Sequence, residues 1–435
     1  MNPLLNLFEK GFTVFTLIFF TGALANDSLY ISPDPRVDAS SVYNPIYPVL
    51  SLVQLAVYGI TVLLLIARWR NSIQTALRNK IVWCLTGIVL ISFFWSDFPD
   101  ISLRKGFNVF QTVLFGLYMA SRFSLKEQLR LLALALGIVA VYSLLFSFAF
   151  RGSAIEAGAN AGAWRGPFTQ KNLTARLMTL SVTVCLLAAL GKGKRSYLYW
   201  FGCLASLILL FLSGSKTGLL VLINLMIVLP LYRSLRWRTT IVIPLIITVV
   251  IIGGSIGTTI IENWESLLLS LGRDPTLRGR TELWTAALDK IAERPWIGYG
   301  FQGFWQNGGE SMYVWKAVQY KPPHAHNGYI NITLDLGLIG LILFMLGLAS
   351  VYIRSIAWLR LDKSSAGLLP ITYVTFLFMY NHSESTIVDY NSIFWAVFNA
   401  MALSMRRIRA LHSVDSLDLA QTKDYLKNNI SSLGG

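Results

Sequence analysis

Charged side chains are scarce in this chain, making up 14% of 435 residues, where soluble globular domains carry about a quarter. Together with 54% hydrophobic residues, that shortage excludes an ordinary water-soluble domain, because so apolar a backbone must be satisfied inside a bilayer. Cysteine is nearly absent. Cys84, Cys185 and Cys203 lie in apolar runs without paired spacing, so neither a disulfide framework nor a zinc knuckle is indicated, and they read as small core residues. Acidic residues are also few, 22 against 37 Lys plus Arg, for a formal net charge of +15. No internal repeat is visible, which counts against transporters built from repeated halves.

What is abundant is apolar sequence. Runs of roughly membrane-spanning length fall near 11–25, 46–67, 81–96, 106–121, 130–150, 173–191, 197–213, 217–232, 239–258, 327–353, 366–383 and 390–405. The connections alternate in charge. One set, with the termini, holds 22 basic and 6 acidic residues, a balance of +16, and the other holds 15 and 16, a balance of −1. The positive-inside rule places the first set and both termini in the cytoplasm. It thereby explains the basic excess without nucleic acid as a partner. The expected organisation is transmembrane helices one to nine over 1–258, a large external loop over 259–326, helices ten to twelve over 327–409 and a cytoplasmic tail over 410–435. Ala23-Leu24-Ala25 resembles a signal-peptidase site, but the preceding region is apolar and sets Glu9 beside Lys10, so the first helix is read as retained.

The external loop is too long for a passive connector. Within it Trp284, Ala287, Leu288 and Ile291 recur at helical spacing while Glu282, Asp289, Lys290, Glu293 and Arg294 take the other face, which predicts an amphipathic helix ended by Pro295. The following Gly298-Tyr299-Gly300-Phe301-Gln302-Gly303 formally matches GxGxxG. No strand precedes it, so a turn that packs Trp305 and the backbone at the membrane surface is the better reading than a dinucleotide site.

External cations run against the positive-inside rule and so need their own explanation. Arg165 and Lys171 lie in a Gly- and Pro-containing segment, Lys216 in Ser213-Gly214-Ser215-Lys216-Thr217, and Arg273, Arg278 and Arg280 in the large loop. Cations beside glycines suit an anionic head group or a diphosphate; interfacial anchoring or salt bridges are the alternative. Only four histidines exist, and His324 and His326 stand together just before span ten. A histidine suits general-base work near neutral pH. A His-x-His pair with His382, Glu384 and Asp389 could instead hold zinc, although no ligand spacing supports it.

At this point the residues carry a resemblance. His326-Asn327, nine residues, Gly337, two residues and Gly340 resemble the His-[Asn/Ser/Gln]-x9-Gly-x-x-[Gly/Thr/Tyr] pattern of the O-antigen ligase/polymerase superfamily of bacterial surface-glycan enzymes. Gly279-Arg280-Thr281-Glu282-Leu283-Trp284 and Pro295-Trp296-Ile297-Gly298-Tyr299-Gly300 look like its external-loop signature, and the segments 164–172 and 213–217 look most like its exopolysaccharide-production branch.

The resemblance implies an all-α, GT-C-like integral membrane protein of about twelve transmembrane helices. It implies a glycosyltransferase at the external face of the bacterial inner membrane that needs neither metal nor cofactor. The donor would be a glycan on undecaprenyl diphosphate, and the acceptor a glycan or a lipid A core. His326 matches the family's essential histidine and Arg280 an essential arginine, while Lys216 stands where relatives tend to have arginine. Arg165, Lys171, Lys216 and Arg278 are the expected diphosphate contacts, with His324, Asn327, Asp335 and Glu384 in support. Asp335 could orient His326 or a cation, or be a satisfied helix residue; Glu384 is a candidate of the same kind. The competing reading is a transporter or flippase for a lipid-linked or anionic glycan. Against it, the spans are almost free of charge and the ionisable groups gather at their external ends.

Overall fold

A computed structural model describes residues 3–30, 44–191, 193, 196–236 and 280–405. Among these residues the chain is helical, with short 3-10 turns, one isolated bridge between Ile155 and Trp164, and no strand. The helices are α1 (Pro3–Phe19), α2 (Tyr47–Ala67), α3 (Trp69–Ala76), α4 (Lys80–Ile91), α5 (Pro99–Arg122), α6 (Leu125–Ala149) and the single turn α7 (Arg151–Ala154). They continue with α8 (Lys171–Ala189), α9 (Ser196–Leu212), α10 (Lys216–Ser234), α11 (Arg280–Glu293), α12 (Ser311–Val318), α13 (Gly328–Leu361), α14 (Leu369–Tyr380) and α15 (Ile393–Ser404).

Several starts are written locally. Ser124 and Glu127 form a capping box on α6, and Asn79, Ser215 and Asn327 cap α4, α10 and α13 by accepting first-turn N–H groups. Pro99 occupies the first turn of α5, where no N–H is needed.

By length and apolarity, five described helices can cross a membrane, or up to seven if two pairs bent by 71° and 90° each make one span. Three further apolar helices are shorter, at 10–17 residues. A helix is present in each expected span that falls on described residues; the ninth span and the 410–435 tail lie outside them. Spans eleven and twelve are short because the polar loop 381–392 separates α14 from α15.

The core joins α5 to α15 and α6 to α8 and α9. A side chain at Gly116 would stand 2.8 Å from Asn399 Cβ, so this glycine sets the approach of α5 to α15. Glu9 of α1 is fully buried and ion-paired with both Arg68 and Arg122, which ties α1 to the ends of α2 and α5.

Two expectations change. The apolar face of α11 centres on Leu283, Ala286 and Ala287 with Lys290; Trp284 and Ile291 pack against it as expected, and Leu288 is exposed. Lys290 can be buried because Glu293 and Glu310 accept from its Nζ at 2.8 and 2.7 Å. The glycine-rich turn packs on α13 and on Ser96. Cys185 and Cys203 are buried, whereas Cys84 is exposed on α4.

Candidate active site

Helix α13 breaks at Gly337, whose φ of +65° and ψ of −169° leave the helical region. Here the two sequence motifs interlock. Leu338 N–H donates to Pro295 O at 2.7 Å and Ile339 N–H to Trp296 O at 3.2 Å, while Tyr299 N–H donates to Leu334 O at 2.8 Å. A side chain on residue 337 would collide with the Trp296 backbone, and one on Gly298 with the Leu334 carbonyl. Glycine at both positions is therefore a condition of the contact, and the first half of α13 is held against the turn that follows α11.

The segment leading into α13 is pinned at both sides. Trp284 Nε1 of α11 donates to Ala325 O at 2.8 Å and Trp315 Nε1 of α12 to Pro322 O at 3.1 Å. His326 adopts φ +49°, a left-handed conformation that non-glycine residues seldom hold without support. Its N–H donates to His324 Nδ1 at 3.1 Å, and the two rings lie 4.3 Å apart. Gly328 N–H donates to Asn381 O at 2.8 Å, an approach open only because residue 328 has no side chain. Asn381 Oδ1 in turn accepts from Thr386 N–H and Oγ1, both at 2.9 Å, and so shapes the turn that carries Glu384.

Glu384 is the junction of the site. The residue is 4% exposed, its Oε2 lies 3.5 Å from His326 Nδ1, and its Oε1 accepts from Asn172 Nδ2 at 3.1 Å and lies 3.9 Å from Arg280. Burial would raise its carboxyl, but its interactions with His326, and after it with His324 and Arg176, outweigh this and hold it at about 2. An ionised Glu384 beside Nδ1 favours the tautomer with the proton on Nδ1, which leaves Nε2 with its lone pair. Burial, then the His326 charge, pushes His324 down to about 3, so this ring is neutral at physiological pH.

Arg280 also faces a second space of about 230 Å³, shared with Lys171, Asn172, Ser215, Lys216 and Glu156. Helices α8 and α10 both begin here, at Lys171 and Lys216, and helix N-termini favour anions. Lys216 is exposed, and Glu156 Oε1 accepts from the Lys171 backbone N–H at 2.6 Å.

The sequence-derived candidates thus divide. The structure brings His324, His326, Glu384 and Arg280 together, and Arg280 with Lys171 and Lys216. Arg165 lies apart from them: its guanidinium donates to Ser153 O and Thr169 O, which braces the segment before α8. Asp335 accepts from the Gln302 backbone, so Glu384 rather than Asp335 is the carboxylate facing His326. Arg278 lies outside the described residues.

Arg176 of α8 is not among the candidates singled out by sequence, yet it sits in the field of Glu384, donates to Ser385 O at 2.9 Å and stacks over Phe394. The signal was present, because an arginine inside an apolar span is by default a functional candidate. Asn172 closes the 164–172 segment that carries the resemblance, but nothing in that segment assigns it a role of its own.

His324, His326 and Glu384 offer three ligand atoms within 4.8 Å of one another. Arg280 and Arg176 already supply Glu384 with positive charge, however, and His324 Nδ1 is occupied by an N–H donor. A divalent cation would be repelled by both guanidinium groups. The donor set therefore suits an orienting carboxylate better than a metal centre.

A half-buried histidine beside a buried carboxylate and a cationic space, on an all-helical frame, accompanies a match of residues 201–345 to the O-antigen ligase family model. That match contains Lys216, Arg280, His326, Gly337 and Gly340. The chain is 26% identical to the exopolysaccharide production protein ExoQ of Rhizobium meliloti, over 68% of its own length and 70% of that protein. It is also 26% identical to a putative polysaccharide ligase of Rickettsia conorii, over 50% of this chain and 53% of the relative. The resemblance read from the motifs holds, including the exopolysaccharide branch.

Proposed function

We propose that the chain is an inverting, metal-independent glycosyltransferase that moves a glycan from undecaprenyl diphosphate to an acceptor hydroxyl at the periplasmic face of the bacterial inner membrane. The observation that carries this reading is the double engagement of Glu384. One oxygen faces His326 and the other faces Arg280, and Arg280 also lines the cationic space, so base and anion clamp share one rigid carboxylate.

In the proposed reaction His326 Nε2 takes the proton of the acceptor hydroxyl. The acceptor oxygen forms a bond to the anomeric carbon as the bond from that carbon to the diphosphate oxygen breaks, and undecaprenyl diphosphate leaves with the electron pair. Arg280 and Lys216, with the N-terminal ends of α8 and α10, offset the charge that grows on the leaving oxygen. Lysine at 216 keeps the charge without a bidentate fork. Attack opposite the leaving group inverts the anomeric centre. The frame for this is a GT-C-like bundle of twelve spans, both termini cytoplasmic, held among membrane lipids. The product is a polymerised exopolysaccharide or a glycan ligated to another glycan or a lipid A core.

Purified protein in lipid nanodiscs, given lipid-linked glycan extracted from the producing bacterium and its acceptor fraction, should release undecaprenyl diphosphate. His326→Ala and Arg280→Ala should abolish that release; full activity in either variant would sink the mechanism. A transporter would move the lipid-linked glycan without breaking its anomeric bond.

A further inference from the structure

Beside His324 a second cavity of about 200 Å³ lies between the first half of α13, the glycine-rich turn and the loop 381–392. Its chemistry is opposite to that of the cationic space. Asp335 and Asp389 both face it, together with Gln302, Trp305, His324 and Tyr390. Asp335 is 3% exposed; it accepts from the Gln302 backbone, yet its buried Oδ1 has no hydrogen-bond partner among the described residues. A buried carboxylate oxygen without a partner is costly, and it points to a ligand hydroxyl or water as the missing donor. Asp389 Oδ1 accepts from the Tyr390 N–H at 2.9 Å, and Lys105 lies within electrostatic reach.

The other walls complete the pattern. Trp305 Nε1 is anchored on Asn331 Oδ1 at 2.8 Å, which fixes the indole in place. His324 Nδ1 is an acceptor for His326 N–H, so the neutral ring carries its proton on Nε2 as a donor. Gln302 and Val388, both of which line the cavity, hold positive φ of +57° and +48°, and for the β-branched valine this is an outlier that its surroundings must enforce. Two carboxyl groups, with no lysine or arginine among the lining residues, offer a phosphate no counter-charge. Carboxylate acceptors, an imidazole donor, an amide and flat aromatic walls instead suit a neutral polyhydroxy ring.

We infer that this cavity is the subsite for the terminal sugar of the acceptor, with Asp335 and Asp389 accepting hydrogen bonds from its hydroxyls. The inference rests on the reading of His326 as the base and deepens it. Acceptor and donor then approach from opposite sides, a neutral sugar across Asp335 and Asp389 and an anionic diphosphate across Arg280 and Lys216. A chain of contacts joins the two spaces, from His324 through His326 and Glu384 to Arg280. Asp335 and Asp389 are binding residues in this scheme, and they contribute to the choice of acceptor.

The test is saturation-transfer difference NMR on the full chain in nanodiscs, with the methyl glycosides of glucose, galactose, mannose, rhamnose and N-acetylglucosamine as probes. At least one glycoside is expected to bind saturably. Asp335→Asn and Asp389→Asn are each expected to weaken it by about tenfold, the loss of one well-formed hydrogen bond. Lys216→Ala should leave it unchanged. Because Asp335→Asn could fail to fold, Trp305→Leu provides a third variant, with thermal unfolding of each as the control.

Binding of no glycoside, binding indifferent to all three substitutions, or saturable manganese binding lost in both aspartate variants would each overturn the inference. Donor turnover by His326→Ala is measured in parallel. Retained turnover with aspartate-dependent sugar binding would refute the base and spare the subsite, whereas lost turnover with no such binding would refute the subsite alone.

Discussion

His326 and Glu384 meet across the start of α13 and the end of α14, Nδ1 to Oε2 at 3.5 Å, because Gly328 lets the Asn381 carbonyl reach its N–H. The histidine is therefore aimed by a hydrogen-bonded turn on another helix as well as by its own strained backbone.

Stability should depend on this pair in acid. The Glu384 carboxyl is depressed from 4.5 to about 2 in the folded protein, so its contribution is complete above 4.5 and is lost as pH falls toward 2. The full contribution is about 3 kcal/mol. Thermal unfolding of the wild type in detergent should show a loss of melting temperature from pH 5 downward. Glu384→Gln should lack that component and start from a lower melting temperature at pH 7.

The anion clamp separates charge from geometry. Arg280→Ala should lower kcat/KM by about 100-fold, on the scale of removing one donor from a charge-stabilising site. Arg280→Lys should recover only part of the loss, since lysine cannot bridge two oxygens in a plane. Lys216→Ala should raise the donor KM several-fold, and Lys216→Arg should restore it. Steady-state kinetics with varied lipid-linked donor reads all four.

Chelators should leave turnover intact. Arg280 and Arg176 compensate the Glu384 charge that a metal would need. An activity assay after EDTA dialysis checks this, and restoration by zinc of activity lost on dialysis would contradict it.

Gly337→Ala should destabilise the protein by about 2 kcal/mol or more, because residue 337 holds φ +65° and a Cβ would meet the Trp296 backbone. The readout is the shift in thermal midpoint. Glycoside binding should fall with it, since the contact also seats the turn that supplies Gln302 and Trp305.

Glu9→Ala should be among the costliest substitutions far from the site. It leaves Arg68 and Arg122 facing a fully buried position without their shared carboxylate, at about 3–5 kcal/mol. Replacement by Gln should cost less, by retaining an acceptor. Chemical denaturation in detergent distinguishes the two.

How much of this was legible depends on the distance over which each feature is specified. Helices and caps are local: apolar runs of spanning length, Ser124 with Glu127, and Asn327 before Gly328 all announce themselves in order along the chain. His326, Arg280 and Gly337 were legible because they fall in motifs. Arg176 left a weaker trace, a cation in an apolar span, and Asn172 appeared only as the last residue of the 164–172 segment. On α11, Trp284, Ala287 and Ile291 pack as their spacing predicts, whereas Leu288 is exposed and Lys290 is buried, because Lys290 reads as a surface charge until the Glu293 and Glu310 carboxylates are placed around it.

By itself the sequence determined an all-helical membrane protein, which set of loops carries the positive charge, and the candidates His326 and Arg280. These follow from hydropathy, charge asymmetry and short motifs, which act within a few residues. Only the tertiary structure decided that Glu384 aims His326, that Arg165 is a brace and Lys216 faces a cationic space, and that Asp335 and Asp389 line one cavity. Those relations join segments far apart in the chain, and they depend on close approaches at Gly298, Gly328 and Gly337 that no local pattern specifies.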